Sequence, residues 1–270
     1  MHNLTPLTND EIRRLAPAAF ATKPNPKVSS RYGFISTVEV LDGLREHGWA
    51  PVRARQSSTR NEANVPFTKH EIVFRQPDAK PVTQLGDLLS EIRLINSHGT
   101  ESCYHTIGGL YRLACLNGAV TSAGSEYWVR VRHTINSVQG VLQAVTQVGE
   151  RLPQLVATVS EWSRIELNSE QRLSLSQTAL EIRYGQDKAK WPTQPVNIAN
   201  TVNRQADAGN NLWSVFNRVQ ENVTRNGAVP LGLMDRRNRR MSIRSVKSID
   251  ADLKINSKLW EAASQLALAA

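Results

Sequence analysis

The pattern of apolar and polar residues divides the chain into two parts with different periodicity. In the first part, apolar and polar residues alternate along several short segments, which is typical of β-strands. These segments are residues 50–55, 68–74, 90–96 and 127–132. Beyond residue 136 the apolar residues recur every three or four positions, which predicts a series of helices ending with one over Ile249 to Leu268.

Local signals add further elements to the first part. Asn9 and Asp10 open a short predicted helix, and Ser36 with Glu39 forms a capping-box pair for a second helix, which Gly48 ends. Residues 32–35 are predicted to form a brief strand. Residues 102–114 fit either a strand or a short helix, and Asn117-Gly118 predicts a tight hairpin turn.

Together these elements predict an α+β fold, in which a twisted antiparallel β-meander with early helices is followed by a helical C-terminal half. We expect a sheet-containing part over residues 1–135 and a mainly helical part over residues 136–270, packed as one unit.

Composition narrows the class of protein. The chain has 270 residues, of which 40% are hydrophobic and 21% charged, so it can bury a substantial core. No apolar run approaches the ~18 residues of a membrane span, and the first residues lack the order of a secretory signal. Two cysteines cannot build a disulfide framework, so we expect a protein of the reducing cytoplasm.

The charge is strongly basic and is carried mainly by arginine. There are 33 Lys+Arg against 24 Asp+Glu, a net charge of +9, and arginine outnumbers lysine 24 to 9. Residues 236–247 hold six of these positive charges and no negative one. Guanidinium groups bind phosphate bidentately and stack on rings, which favours nucleic acid as a partner. A solvated basic loop is the alternative explanation of this run.

Arginine and tryptophan also share strand faces. Arg53 and Arg55 have the same parity as Trp49, and Arg130 and Arg132 have the parity of Trp128. Arginines and rings on one face could bind the phosphates and stack on the bases of a single-stranded nucleic acid. Arginine is, however, also common on a solvent-exposed face of a β-strand. The predicted nucleic-acid-binding residues are Arg53, Arg55, Arg130, Arg132, Arg236, Arg237, Arg239, Arg240, Arg244, Trp49 and Trp128.

Catalytic signals are weak. The chain has no glycine-rich phosphate loop, and its acidic residues are scattered and do not suggest a two-metal nuclease. A zinc site could form from His98, Cys103, His105 and Cys115 only if the fold gathers them. Cys115 could approach His133 across a hairpin, but Cys115 has the pattern of a buried residue. We therefore assign no catalytic residue, metal or cofactor, and leave a Cys/His- or metal-dependent enzyme as an alternative.

Several multi-residue motifs, spread over nearly the whole chain, carry a family resemblance. They are residues 28–35, 93–98, 108–118, 131–134, 211–213 and 217–222, together with Trp260. In these motifs the chain resembles a family of plasmid- and prophage-borne proteins that carry a domain of unknown function, represented by YafZ and YfjQ. The resemblance implies a mobile-element setting, beside replication, recombination or antirestriction functions.

A second resemblance concerns the order of elements. A helix ending at Gly48-Trp49, followed by a β-meander and then helices, is similar to the phage single-strand annealing proteins of the RecT and Redβ type. This resemblance implies a basic groove for single-stranded DNA and assembly into homo-oligomers. The leading hypothesis is a non-catalytic, nucleic-acid-binding protein of a mobile element that acts in recombination or replication. The alternative is an interaction protein that blocks a host defence, such as an antirestriction factor.

Overall fold

A computed structural model describes residues 5–77, 88–99, 103–112, 117–120, 126–133, 138–225 and 243–270. The predicted basic run at 236–240 lies outside these residues, as does Cys115.

The described residues form thirteen regular helices and strands, besides short 3₁₀ turns. In chain order they are α1 (Asn9–Leu15), α2 (Thr37–Glu46), β1 (Ala50–Gln56), β2 (His70–Arg75), β3 (Leu88–Asn96), β4 (Tyr104–Arg112), β5 (Asn117–Val120), β6 (Trp128–Val131), α3 (Val138–Trp162), α4 (Ser169–Tyr184), α5 (Pro195–Asn200), α6 (Leu212–Thr224) and α7 (Ile249–Leu268). This order confirms the α+β prediction of an antiparallel sheet with early helices and a helical C-terminal half.

The chain divides into two compact units. The first contains α1, α2, strands β1 to β4 and β6, and α3 as far as Leu155, apart from the outermost residues of β3 and β4. The second contains β5, the end of α3 from Val156, and helices α4 to α7.

The two faces of the sheet in the first unit differ, because one is apolar and the other mixes charged residues with the buried side chains of Val73 and Ile95. Strands β1 to β4 pair in sequence order, and β6 pairs with β4. One face carries Ile72, Phe74, Ile92 and Leu94, all at most 1% exposed. Helix α3 packs on this face, where a Cβ on Gly149 would lie 3.9 Å from Ile92 Cδ1. The register between β1, β2 and β3 puts arginine and glutamate on the other face.

An aromatic cluster forms the core of the second unit. The rings of Trp162 and Trp260 lie 4.5 Å apart, and Phe216 is 5.6 Å from Trp162 and 5.7 Å from Trp213. Helix α6 is buried along its whole length, so its polar residues need partners within the protein. Arg218 Nη1 donates to the carbonyl of Asp207 at 3.0 Å, which supplies one such partner.

Three local predictions have clear outcomes. Residues 102–114 contain strand β4, which settles that ambiguity. The predicted strand at 32–35 is wrong, because these residues have no regular secondary structure, although Gly33 N donates to His133 O at 3.0 Å. Asn117 and Gly118 begin β5 and do not form the predicted turn.

No helix in the described part of the chain combines the length and the apolar composition that crossing a membrane requires.

Candidate functional site

Four arginines and two glutamates share the polar face of the sheet, which we call the arginine face. The register aligns Arg53 of β1 with Val73 of β2 and Arg93 of β3, and Arg55 with Glu71. Because side chains alternate along a strand, Arg75 and Glu91 lie on this face as well. The alternation that buries Ile72, Phe74, Ile92 and Leu94 against the helices thus directs the charged residues to the opposite side.

Two fully buried carboxylates organise the arginine face. Glu91 lies 3.1 Å from Arg93 Nε, 3.2 Å from Arg75 Nη2 and 3.9 Å from Arg53 Nη2. Glu71 pairs with Arg55 and lies 3.5 Å from Arg93 Nη1. Each carboxylate therefore holds more than one guanidinium, which fixes the direction of the arginine side chains.

The ion-pair network of these four arginines and two glutamates has an excess of positive charge, and part of this charge is exposed to solvent. Burial alone would raise the pKa of Glu91, but the guanidiniums of Arg93, Arg53 and Arg75 hold that pKa below its ordinary value. Four arginines and two glutamates give this network a formal charge of +2. The side chains of Arg53 and Arg55 are 33% and 28% exposed, so this surplus is accessible to solvent along β1.

The ring of Tyr111 extends the arginine face onto β4. The guanidinium of Arg75 lies over this ring, with Cζ 3.6 Å from the ring centroid. His105 has the same parity on β4, and its Nδ1 accepts a hydrogen bond from Trp128 Nε1 at 2.9 Å. His105 is paired in register with Arg130 of β6, whose side chain is exposed. Arg53, Arg55, Trp128 and Arg130 therefore share one face of the sheet.

The other predicted site residues have different outcomes. Trp49 is only 8% exposed, and its Cζ2 would lie 3.3 Å from a Cβ on Gly149 of α3. A register shift between Pro51 and Arg53 breaks the parity on which the prediction for Trp49 rested. Arg132 follows β6 and is exposed, and Arg244 is exposed in the second unit. Arg236, Arg237, Arg239 and Arg240 lie outside the described residues.

A buried histidine cluster occupies the opposite face of the sheet, next to the N-terminus of α2. His70 Nε2 and His98 Nε2 each lie 3.1 Å from the hydroxyl oxygen of Thr37, and Tyr104 OH lies 2.9 Å from it. Asn96 links the cluster to His133, whose Nε2–H donates to Asn96 Oδ1 at 2.7 Å. The Thr37 hydroxyl is the centre of this cluster.

Burial keeps the histidines of this cluster neutral. It lowers the pKa of His70 to about 4 and that of His98 to about 3, and it also lowers the pKa of His133. All three rings are at most 8% exposed. This neutral, buried cluster joins segments that are distant from one another in the sequence.

Three of the motifs that carry the family resemblance, residues 28–35, 93–98 and 131–134, contribute side chains to this cluster. Tyr32 stacks on His133 with ring centroids 4.5 Å apart, and Phe34 lies 4.9 Å from His98. The motif over residues 93–98 supplies Asn96 and His98. These sequence motifs therefore encode the packing of the early segments onto the sheet.

Of the residues weighed for metal or nucleophilic chemistry, the structure describes His98, Cys103, His105 and His133, while Cys115 lies outside the described residues. Cys103 Sγ lies 3.5 Å from His105 Nε2, but His98 points to Thr37 on the other face of the sheet. No group of three or more His, Cys, Asp or Glu that could hold a metal occurs among the residues that the structure describes.

The sequence prediction included the outer arginines of this face and omitted the residues that hold them. Glu71, Arg75, Glu91 and Arg93 form the buried part of the network, and Tyr111 caps it. The sequence signal that could have found these residues was the alternation of charged and apolar positions, since Glu91 and Arg93 alternate with Ile92 and Leu94 on β3. The alignment of Arg55 with Glu71 required the strand register, which the sequence does not supply.

Comparison with known proteins identifies the family. A family model described as a domain of unknown function, DUF932, matches residues 26–260. The chain belongs to this family. It is 31% identical over 264 residues to the UPF0380 protein YafZ of Escherichia coli K12, covering 97% of this chain and 92% of YafZ. The UPF0380 protein YfjQ of the same strain gives the same identity and coverage. No solved structure matches the chain.

Proposed function

We propose that this protein binds single-stranded nucleic acid on the arginine face of its sheet. The observation that carries the proposal is the surplus of two positive charges held in fixed directions around Glu71 and Glu91. Binding without bond-breaking is the proposed chemistry, and the family resemblance supports a role in recombination or replication of a mobile element.

The fixed guanidiniums suit a phosphate backbone. Arg53 and Arg55 point from alternate positions of β1, about 7 Å apart along the strand, and both keep part of their guanidinium surface exposed. A guanidinium already oriented by a carboxylate loses less conformational freedom when it binds a phosphate oxygen. The arginine face can therefore engage successive phosphates with little rearrangement.

Trp128 and Arg130 supply the second part of the proposed interface. The Trp128 ring is half-buried and fixed through its indole N–H to His105. An aromatic ring held at the edge of a basic face is a platform for base stacking, which tolerates any base sequence. Such a surface favours a single strand, because the bases of a duplex are already stacked on one another. We further propose that the protein assembles as a homo-oligomer, which would lengthen the strand-binding surface.

The test measures fluorescence anisotropy of a labelled single-stranded oligonucleotide. Arg53→Gln/Arg55→Gln should weaken binding by about tenfold or more, the effect of losing about 1.4 kcal/mol. The matched control is Arg14→Gln/Arg164→Gln, which removes the same charge from exposed positions in α1 and in the loop after α3, outside the strands. Its affinity should stay within about threefold of the wild type.

A second variant guards against a folding defect. Arg130→Gln changes an exposed side chain, so it leaves the buried network intact and should also weaken binding. Equal affinity in all variants, or no binding of the wild-type protein at about physiological salt, would overturn the proposal. The search would then turn to protein partners such as a host nuclease.

A further inference from the structure

A polar pocket lies where β1 ends and β2 begins. It has a volume of about 280 Å³, just below the ~300–1,000 Å³ of typical small-molecule pockets. Its lining includes Lys27, Ser57, Ser58, Asn64, Thr68 and Gly99. The described lining contains one cation, several hydroxyl and amide groups, and no carboxylate. This combination matches an anionic, oxygen-rich ligand.

Hydrogen bonds fix the walls of the pocket. Ser57 N donates to Lys69 O at 2.8 Å, and Asn25 N donates to His98 O at 2.8 Å. Ser97 Oγ donates to Phe67 O at 3.1 Å. A Cβ on Gly99 would lie 3.3 Å from that same carbonyl oxygen, so a larger residue would crowd the pocket. The cavity is therefore built into the fold.

Several donors in the pocket have capacity to spare. Among the described residues, the side chains of Lys27, Ser57, Ser58 and Asn64 show no hydrogen bond or ion pair. Together they offer an ammonium group, two hydroxyls and an amide. Phosphate oxygens accept hydrogen bonds from all of these groups, and the ammonium adds charge.

The pocket continues the line of Arg53 and Arg55. Ser57 follows Arg55 by two residues, which corresponds to about 7 Å along an extended chain. We propose that the pocket binds a phosphate group and, in a nucleic-acid complex, holds the backbone phosphate next to the one that Arg55 neutralises. The placement of a nucleic-acid phosphate in the pocket rests on the proposed function, whereas the phosphate site itself does not.

The test follows backbone amide shifts of the isotope-labelled protein as inorganic phosphate replaces chloride at constant ionic strength. Saturable shifts at Ser58, Thr59 and Gly99 are expected. Lys27→Gln should weaken phosphate binding by about tenfold, the effect of losing one charge-assisted hydrogen bond. Lys23→Gln is the matched control, since Lys23 is exposed and does not line the pocket.

A second arm repeats the comparison with the labelled oligonucleotide. Weaker binding of both phosphate and oligonucleotide in Lys27→Gln supports the whole proposal. Loss of phosphate binding alone would overturn the placement of a strand phosphate in the pocket, while the phosphate site itself would be supported. Absence of saturable shifts would overturn the phosphate site, whether or not the oligonucleotide binds to the arginine face.

Discussion

At the scale of single residues, one hydroxyl group gathers polar side chains from distant parts of the chain. Thr37 lies within 3.2 Å of His70, His98, Tyr104 and Asn96, which are 33 to 67 residues away in sequence. All of these residues are buried, so each polar atom needs its partner inside the protein. The cluster specifies how α2 joins the sheet.

The neutral histidines make stability depend on pH. Their unfolded pKa is about 6.5, whereas the folded pKa is about 4 for His70 and about 3 for His98. Between these values the unfolded chain binds protons that the folded protein excludes. The free energy of unfolding should therefore fall as pH decreases below about 6.5, by at most ~1.4 kcal/mol per pH unit for each histidine.

Urea denaturation between pH 7.5 and pH 5 checks this expectation, since most carboxylates titrate below that window. His98→Gln should flatten the dependence on pH, because it removes a histidine whose pKa burial lowers in the folded protein. An identical pH dependence in wild type and His98→Gln would contradict a buried neutral His98.

At the scale of elements, periodicity predicted most of the helices and strands. The final helix has the predicted bounds, Ile249–Leu268, because its apolar residues recur at helical spacing. The interface residues were less predictable. Trp49 and Arg53 have the same parity in sequence, but the register shift after Pro51 separates them, and such a shift depends on the partner strand.

The buried carboxylates also escaped prediction, for a related reason. A glutamate between apolar residues has the pattern of a solvated strand face, and only the paired arginines of neighbouring strands make its burial favourable. The histidine cluster likewise joins residues whose proximity is decided by tertiary packing. Local pattern therefore predicts the elements, and pairing between elements decides the site.

Glu91→Gln tests the network that links β1, β2 and β3. Removing this charge leaves the guanidiniums of Arg75 and Arg93, both less than 10% exposed, with less compensation. We expect a loss of ~3–5 kcal/mol in the free energy of unfolding, the usual effect of breaking a buried ion pair. Equilibrium unfolding in urea measures it.

The control for this prediction is Glu126→Gln. Glu126 pairs with Arg151 at 3.8 Å, and both side chains are more than 40% exposed. Its loss should change stability by at most ~1 kcal/mol. If Glu91→Gln were as stable as Glu126→Gln, the carboxylate of Glu91 would not organise the arginine face.

At the scale of the whole molecule, the net charge of +9 becomes meaningful through its arrangement. A uniformly basic surface attracts any polyanion and gives no defined site. Here one face of the sheet holds oriented guanidiniums beside an aromatic ring. A polar pocket lies at the end of β1, the strand that carries Arg53 and Arg55. The account predicts that a defined number of phosphates bind at defined residues.

The most direct test of this account is the salt dependence of single-strand binding by the wild type, Arg53→Gln/Arg55→Gln and Arg14→Gln/Arg164→Gln. For single strands, the slope of log K against log salt is about −0.7 per phosphate neutralised. The account predicts a slope shallower by about 1.4 in Arg53→Gln/Arg55→Gln, and a slope equal to that of the wild type in Arg14→Gln/Arg164→Gln. The same slope in all three proteins would contradict it.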